Sequence, residues 1–263
     1  MQPAVERAIT LIRDRYADPI TLDDLSAEVF VSRFHLTRIF KRATGVTPGR
    51  YLTAVRLFEA KRLLLTTSRT VSDIVGRVGY NSLGTFTSRF TRAVGMTPTQ
   101  YRDPRVGELL LAVAPGFARL PPLRALRVPA RPVRTATSRV AATITGTLAM
   151  PARLAPANVL VGVFDDRIPQ RGPVAFQALR ATDGSRFEIS HVPPGRWTLL
   201  AVAERHDRTA PPHIAAPTDQ VTTAPGANTT VHVELRSLRP TDPPIAITLS
   251  SPSAAADRHL RVA

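Results

Sequence analysis

The hydrophobic pattern changes period once along the 263 residues. Up to about residue 105 apolar positions recur three and four residues apart, as on one face of a helix; beyond about residue 139 they alternate with polar ones in short stretches broken by Pro, Gly, Asn and Asp. The pattern predicts an all-α domain over 1–105, a Pro/Arg-rich linker over 106–138, an all-β sandwich over 139–250 and a flexible tail over 251–263. Residues 1–105 are expected to fold and bind their partner alone.

The helical half contains the same unit twice. Thr21, Asp24 and Val29 recur as Thr70, Asp73 and Val78; after one inserted residue, Ser32, Thr37, Phe40, Arg42, Ala43, Gly45, Thr47, Pro48 and Tyr51 recur as Ser82, Thr87, Phe90, Arg92, Ala93, Gly95, Thr97, Pro98 and Tyr101. Two copies of one supersecondary unit, over about 21–44 and 70–94, account for these matches.

Each copy reads as helix, turn, helix. Thr21 with Asp24, and Thr70 with Asp73, form capping boxes that start a short helix with Leu22, Leu25 and Val29, or Val71, Ile74 and Val78, on one face. The chain breaks at Phe30–Val31 or Gly79–Tyr80, and Ser32 or Ser82 starts a second helix. In copy one Leu36, Ile39, Phe40 and Ala43 turn to the core, leaving Arg33, Phe34, Thr37, Arg38 and Lys41 outside. In copy two Phe86, Phe90 and Ala93 face inward, and Leu83, Gly84, Thr85, Ser88, Arg89 and Arg92 are left for other work. Gly45 and Gly95 suit a left-handed stop, and one helix from Pro48 to about Thr66 joins the copies.

In the second half the strands are expected at 141–148, 158–164, 174–179, 186–189, 197–203, 220–223, 229–235 and 245–249. Asp183–Gly184 supplies a tight turn, Phe187 and Ile189 point to one face, Pro193–Pro194–Gly195 turns again, and Trp197 and Leu199 return to a core.

Net charge is +15 with a pI of about 11.5, which suits a polyanionic partner. All the basic residues except Lys41 and Lys61 are arginines, a bias that a GC-rich genome also produces, so charge alone decides nothing. Absence of cysteine excludes disulfides, thiolate metal sites and cysteine nucleophiles. No stretch reaches the roughly 20 apolar residues of a membrane helix. The N-terminus has no signal-peptide layout, so a soluble, cytoplasmic protein without membrane contact is expected. His191, His206, His213 and His232, with Asp165, Asp166 and Asp207, show no metal-ligand spacing, and neither a nucleophile elbow nor a phosphate-cradling loop is present. The expectation is no catalytic residue, no metal, no cofactor and no enzymatic activity.

The doubled unit, carried by 21–26, 32–41, 79–90 and 95–102, resembles the AraC/XylS-type DNA-binding domain over roughly residues 3–103. That resemblance implies two reading helices on one joining helix, with Phe34, Thr37 and Arg38 facing base edges in the first and Leu83, Gly84, Thr85 and Ser88 in the second. Arg33, Lys41, Arg42, Ser82, Arg89 and Arg92 complete the candidate DNA-binding set. From sequence alone Phe34 is either a groove contact or a core residue. The family usually places an arginine where Ser88 stands, with Arg89 next to it, so the second unit is expected to read shape or thymine methyls more than hydrogen-bond patterns.

Residues 139–236 resemble the carboxypeptidase-regulatory or transthyretin-like sandwich, which implies a fold and no activity. The implied function is sequence-specific regulation of transcription at an asymmetric promoter site. The implied partners are double-stranded DNA, RNA polymerase or other transcription machinery, and an undefined small-molecule effector. An architectural DNA binder with little sequence preference is the competing reading.

Overall fold

The computed structural model describes residues 3–114, 117–122, 141–205, 207, 211–215 and 220–249. The chain divides into two compact units: one holds Met1–Phe117, Gln170–Gly172 and Arg239–Ala263, the other Ala118–Pro169 and Pro173–Leu238. The helices are α1 (Pro3–Asp14), α2 (Leu22–Glu28), α3 (Arg33–Thr44), α4 (Pro48–Thr66), α5 (Val71–Arg77), α6 (Leu83–Val94), α7 (Pro98–Tyr101) and α8 (Pro104–Glu108). Among the described residues the strands are β1 (Leu110–Ala114), β2 (Phe117–Arg119), β3 (Ala142–Ala149), β4 (Ala157–Phe164), β5 (Ala175–Ala181), β6 (Arg186–Val192), β7 (Gly195–Arg205), β8 (His213–Ala215), β9 (Val221–Thr223), β10 (Asn228–Glu234), β11 (Arg236–Ser237) and β12 (Ile245–Thr248).

The local signals work as read. Both capping boxes form, with Thr21 and Thr70 accepting from the amides of Asp24 and Asp73, whose carboxylates accept the threonine amides in return. Those hydrogen bonds hold both carboxyls below their ordinary range. Gly45 and Gly95 close α3 and α6 in left-handed conformation. The joining helix α4 has 19 residues and is buried on several sides, through Tyr51, Val55, Leu57, Phe58, Lys61 and Leu64. Leu57, Leu64, Ile74, Val78, Phe86, Phe90 and Tyr101 form one apolar cluster beneath copy two. Ala43, expected inward, is exposed, because Leu36, Ile39 and Phe40 already fill that side of α3.

The stretch expected as a linker over 106–138 begins instead as structure. It opens inside α8, and β1 follows with all five residues buried. β1 pairs antiparallel with β12, Leu111 opposite Ile247 and Val113 opposite Ile245, and the short β2, which starts at Phe117, is the next strand of that sheet. Residues 245–249, expected in the sandwich, therefore belong to the helical unit. Leu110, Ala112, Ala114 and Ala246 pack with Phe58 of α4. Each large apolar side chain so covered stabilises the unit by about 1.5–3 kcal/mol relative to exposure. Residues 115, 116 and 123–138 of the expected linker, and the expected tail 251–263, lie outside the described residues.

Lys61 sits under these strands, 1% exposed, and its Nζ donates to Ala246 O at 2.6 Å, Gln170 O at 2.8 Å and Gln170 Oε1 at 3.0 Å. All three protons of an ammonium have an oxygen, yet no carboxylate is among those acceptors. Burial pushes its pKa down to about 7.

In the β-rich unit one sheet has the order β10-β3-β6 and the other β11-β8-β7-β4-β5, with β9 paired to β7. β10 runs parallel to β3, while β3–β6, β4–β5 and β4–β7 are antiparallel. Strand β3 alternates buried and half-buried along its length, as its sequence pattern requires. Ile144 and Leu148, Val159, Val161 and Val163, Phe187 and Ile189, Leu199, Ala201 and Val233 share a single core drawn from both sheets. A Cβ on Gly146 would stand 2.5 Å from Val231 O and 2.6 Å from the Phe187 ring, so glycine lets that ring lie across β3. Gly184 turns with φ 74°, and Trp197 Nε1 donates to Pro193 O at 2.8 Å, which ties the Pro-Pro-Gly turn to β7. The observed β6 and β7 run several residues beyond the expected ends, and β8 was not anticipated.

Candidate nucleic-acid interface

Helices α3 and α6 each present a polar face to solvent because their apolar faces are committed to the core. On α3, Arg33, Phe34, Arg38, Lys41 and Arg42 are exposed and Thr37 is half-buried; on α6 and its cap, Ser82, Leu83, Gly84, Thr85, Ser88, Arg89 and Arg92 are exposed. Phe34 is 78% exposed, so it is a surface residue and not part of the core. The Arg33 guanidinium lies over its ring at 5.4 Å and also faces Asp23 at 3.7 Å.

Several of these side chains already have local work. Thr37 Oγ1 donates to Arg33 O at 2.8 Å, and Arg38 Nη2 lies 3.3 Å from His35 Nδ1. The Ser82 hydroxyl oxygen accepts the Thr85 amide as the cap of α6, which leaves its O–H proton to offer outward. A Cβ at Gly84 would meet only Ser82 Oγ, at 4.0 Å, so the backbone there is open to close approach.

The turns before α3 and α6 differ. Gly79 (φ 76°) is packed so tightly that a Cβ would lie 2.8 Å from Ala17 O and 2.9 Å from Tyr16 O. Arg56 secures this site from α4, its Nε donating to Tyr16 O and its Nη2 to Asp18 O, both at 2.7 Å. The matching residue in copy one is Phe30, also left-handed at φ 55°, with its side chain 86% exposed. Sequence reading missed Phe30 as an exposed aromatic; its alignment with Gly79 was the available signal.

The described residues hold no group of three or more His, Cys, Asp or Glu arranged to bind a metal. No helix among them is long and apolar enough to cross a membrane.

A family model described as a helix-turn-helix domain matches residues 25–104. The lactose operon transcription activator of Staphylococcus xylosus is 35% identical over 98 residues, which make up 37% of this chain and 35% of that protein. The transcriptional activator RhaS of Escherichia coli is likewise 35% identical over 98 residues, with the same shares of the two chains. Among solved structures, the DNA-binding domain of the global transcriptional factor AdpA in complex with a target DNA is 25% identical at a TM-score of 0.38, covering 40% of this chain and 96% of that one. The chain spans about a third of the length of the curated relatives it matches. Its N-terminal part carries an AraC-type helix-turn-helix domain, followed by a β-rich region.

Proposed function

We propose that this chain is a sequence-specific transcription regulator of the AraC/XylS type, reading an asymmetric DNA site with α3 and α6 in successive major-groove segments. The observation that carries the reading is the doubled, capped helix-turn-helix from Thr21 to Val94, each copy exposing a polar face on its second helix. The 19 residues of α4 give a rod of about 28 Å at 1.5 Å per residue, which suits reading helices set roughly one turn of DNA, about 34 Å, apart.

In this proposal Phe34, Thr37 and Arg38 face base edges from α3, and Leu83, Gly84, Thr85 and Ser88 from α6. Arg33, Lys41, Arg42, Ser82, Arg89 and Arg92 flank them toward phosphates and groove edges. The role is binding rather than catalysis, exercised in the cytoplasm on promoter DNA, with RNA polymerase or other transcription machinery as the downstream partner. The β-rich unit, whose two sheets share one core, is read as a sandwich of the carboxypeptidase-regulatory type that senses a ligand or engages a protein.

Selecting bound sites from random DNA with the full chain tests the reading, and repeating the selection with cell metabolites tests the sensing role. An enriched asymmetric motif is expected. Uniform, salt-sensitive binding to all sequences would replace this reading with an architectural one.

A further inference from the structure

Beyond the left-handed glycine stop that they share, the two reading helices have their last turns bonded differently. In α3, Thr44 bonds the turn from within: its single hydroxyl proton has Phe40 O at 2.9 Å and Val46 O at 3.1 Å as acceptors, and its Oγ1 accepts the Val46 amide at 3.3 Å. The matching position in α6 is Val94, a buried apolar residue without a donor or acceptor on its side chain. Donors arrive there from a remote part of the chain. Arg171 Nη2 donates to Arg92 O at 2.5 Å and Nε to Ala93 O at 3.4 Å, placing a guanidinium at the negative end of the helix.

Arg171 is the middle of three consecutive residues, Gln170–Gly172, that belong to the helical unit although their chain neighbours do not. Gln170 accepts twice from the buried Lys61 of α4. Gly172 passes so close to β12 that a Cβ would lie 2.7 Å from Thr248 O. One short segment is thus fastened to the joining helix, to the second reading helix and beside the strand that covers α4.

We infer that Gln170–Arg171–Gly172 is a strap holding the second reading helix to the joining helix, and that Arg171 is a positioning residue for recognition of the second half-site. The inference rests on the DNA-reading proposal. It follows from the chemistry of α6, whose outward residues Leu83, Gly84 and Thr85 offer few directed hydrogen bonds. A helix that reads shape and methyl groups depends on its stance in the groove more than one anchored by arginine contacts.

The test uses the full chain as wild type, Arg171→Ala and Arg171→Lys, with two readouts. In hydrogen exchange, Arg171→Ala should accelerate the last-turn amides of α6 about tenfold while those of α3 stay unchanged, with Arg171→Lys intermediate. On a site selected by the wild type, Arg171→Ala should shrink the penalties for base changes beneath α6 and leave those beneath α3 intact. An equal loss beneath both helices would make Arg171 a plain phosphate contact and overturn the inference, as would unchanged exchange in α6. If the wild type selects no site, the DNA-reading proposal fails by itself, and exchange in α6 alone decides whether the strap holds that helix.

Discussion

The rings of Phe90 and Tyr101 meet edge to face, with centroids 5.6 Å apart and planes at 85°. Their repeat counterparts, Phe40 and Tyr51, meet at 5.5 Å and 86°, so the duplication extends to the geometry of a buried aromatic pair. The hydroxyls differ. Tyr51 OH accepts from Arg13 Nη2 at 2.7 Å and donates to Asp242 O at 3.2 Å, and burial pushes its pKa up to about 12. The buried Tyr101 hydroxyl has no hydrogen-bond partner among the described residues.

The two Tyr→Phe changes should therefore diverge. Tyr51→Phe removes two hydrogen bonds, while Arg13 Nη2 keeps its bond to Asp242 O at 2.9 Å, and should cost about 1 kcal/mol; Tyr101→Phe removes an unpaired buried group and should be neutral or stabilising by up to about 1 kcal/mol. Denaturant unfolding of the two variants checks this. Equal losses would show that Tyr101 is hydrogen-bonded after all.

Phe30→Gly should stabilise the helical unit by about 0.5–1 kcal/mol, since it relieves a bulky residue at φ 55° whose side chain is 86% exposed. Gly79→Ala at the matching turn should destabilise by more than about 2 kcal/mol, because the added carbon meets the fixed carbonyls of Tyr16 and Ala17. Thermal unfolding followed by circular dichroism separates the two. A loss on Phe30→Gly would mean that the exposed ring has a stabilising contact.

Lys61 makes stability pH-dependent with a definite sign. Its folded pKa of about 7 lies below the unfolded 10.5, so between these values the unfolded chain binds the extra proton, and stability rises with pH across that window. Relative to Lys61→Met, the wild type should gain up to a few kcal/mol, roughly, from pH 7 to 10.5. Parallel stability curves for the two proteins would show that the three carbonyl-type acceptors keep Lys61 charged throughout.

Residues 1–105 expressed alone should stay helical but lose protection in α4, since β1 and β12 no longer cover Phe58 and the acceptors on Lys61 are gone. Lys61 regains water in the fragment, which limits the damage to the lost apolar cover, about 1.5–3 kcal/mol for each large side chain. Hydrogen exchange of α4 in fragment and full chain measures this. Equal protection would return the domain boundary to residue 105.

Arg38→Ala should weaken specific binding by about 1–3 kcal/mol and relax preference mainly at one base pair. Base changes beneath α3 should also cost more than those beneath α6, because Arg38 and Lys41 offer charged donors where Leu83 and Gly84 have no side-chain donor and Thr85 has only a hydroxyl. Affinities for every single substitution in an oriented site decide it. Larger penalties beneath α6 would contradict the asymmetry.

What the sequence determined by itself is what short-range chemistry decides. Thr21 caps Asp24 three residues on, Gly45 stops α3 at its own end, and Phe40 meets Tyr51 within one repeat, so local spacing, doubled, made the helical unit and its exposed faces legible. The alternation of β3 was legible for the same reason. Only the tertiary structure decided that Leu110–Ala114 is a strand, since a short apolar run is ambiguous until Ile245–Thr248 arrives to pair with it. Burial of Lys61 beneath Ala246, 185 positions away, and closure of α6 by Arg171, 79 positions from Arg92, are likewise invisible to any local period. In each case the group that satisfies the backbone or the charge is supplied by distant chain, and no rule of spacing identifies which distant residue folding will bring back.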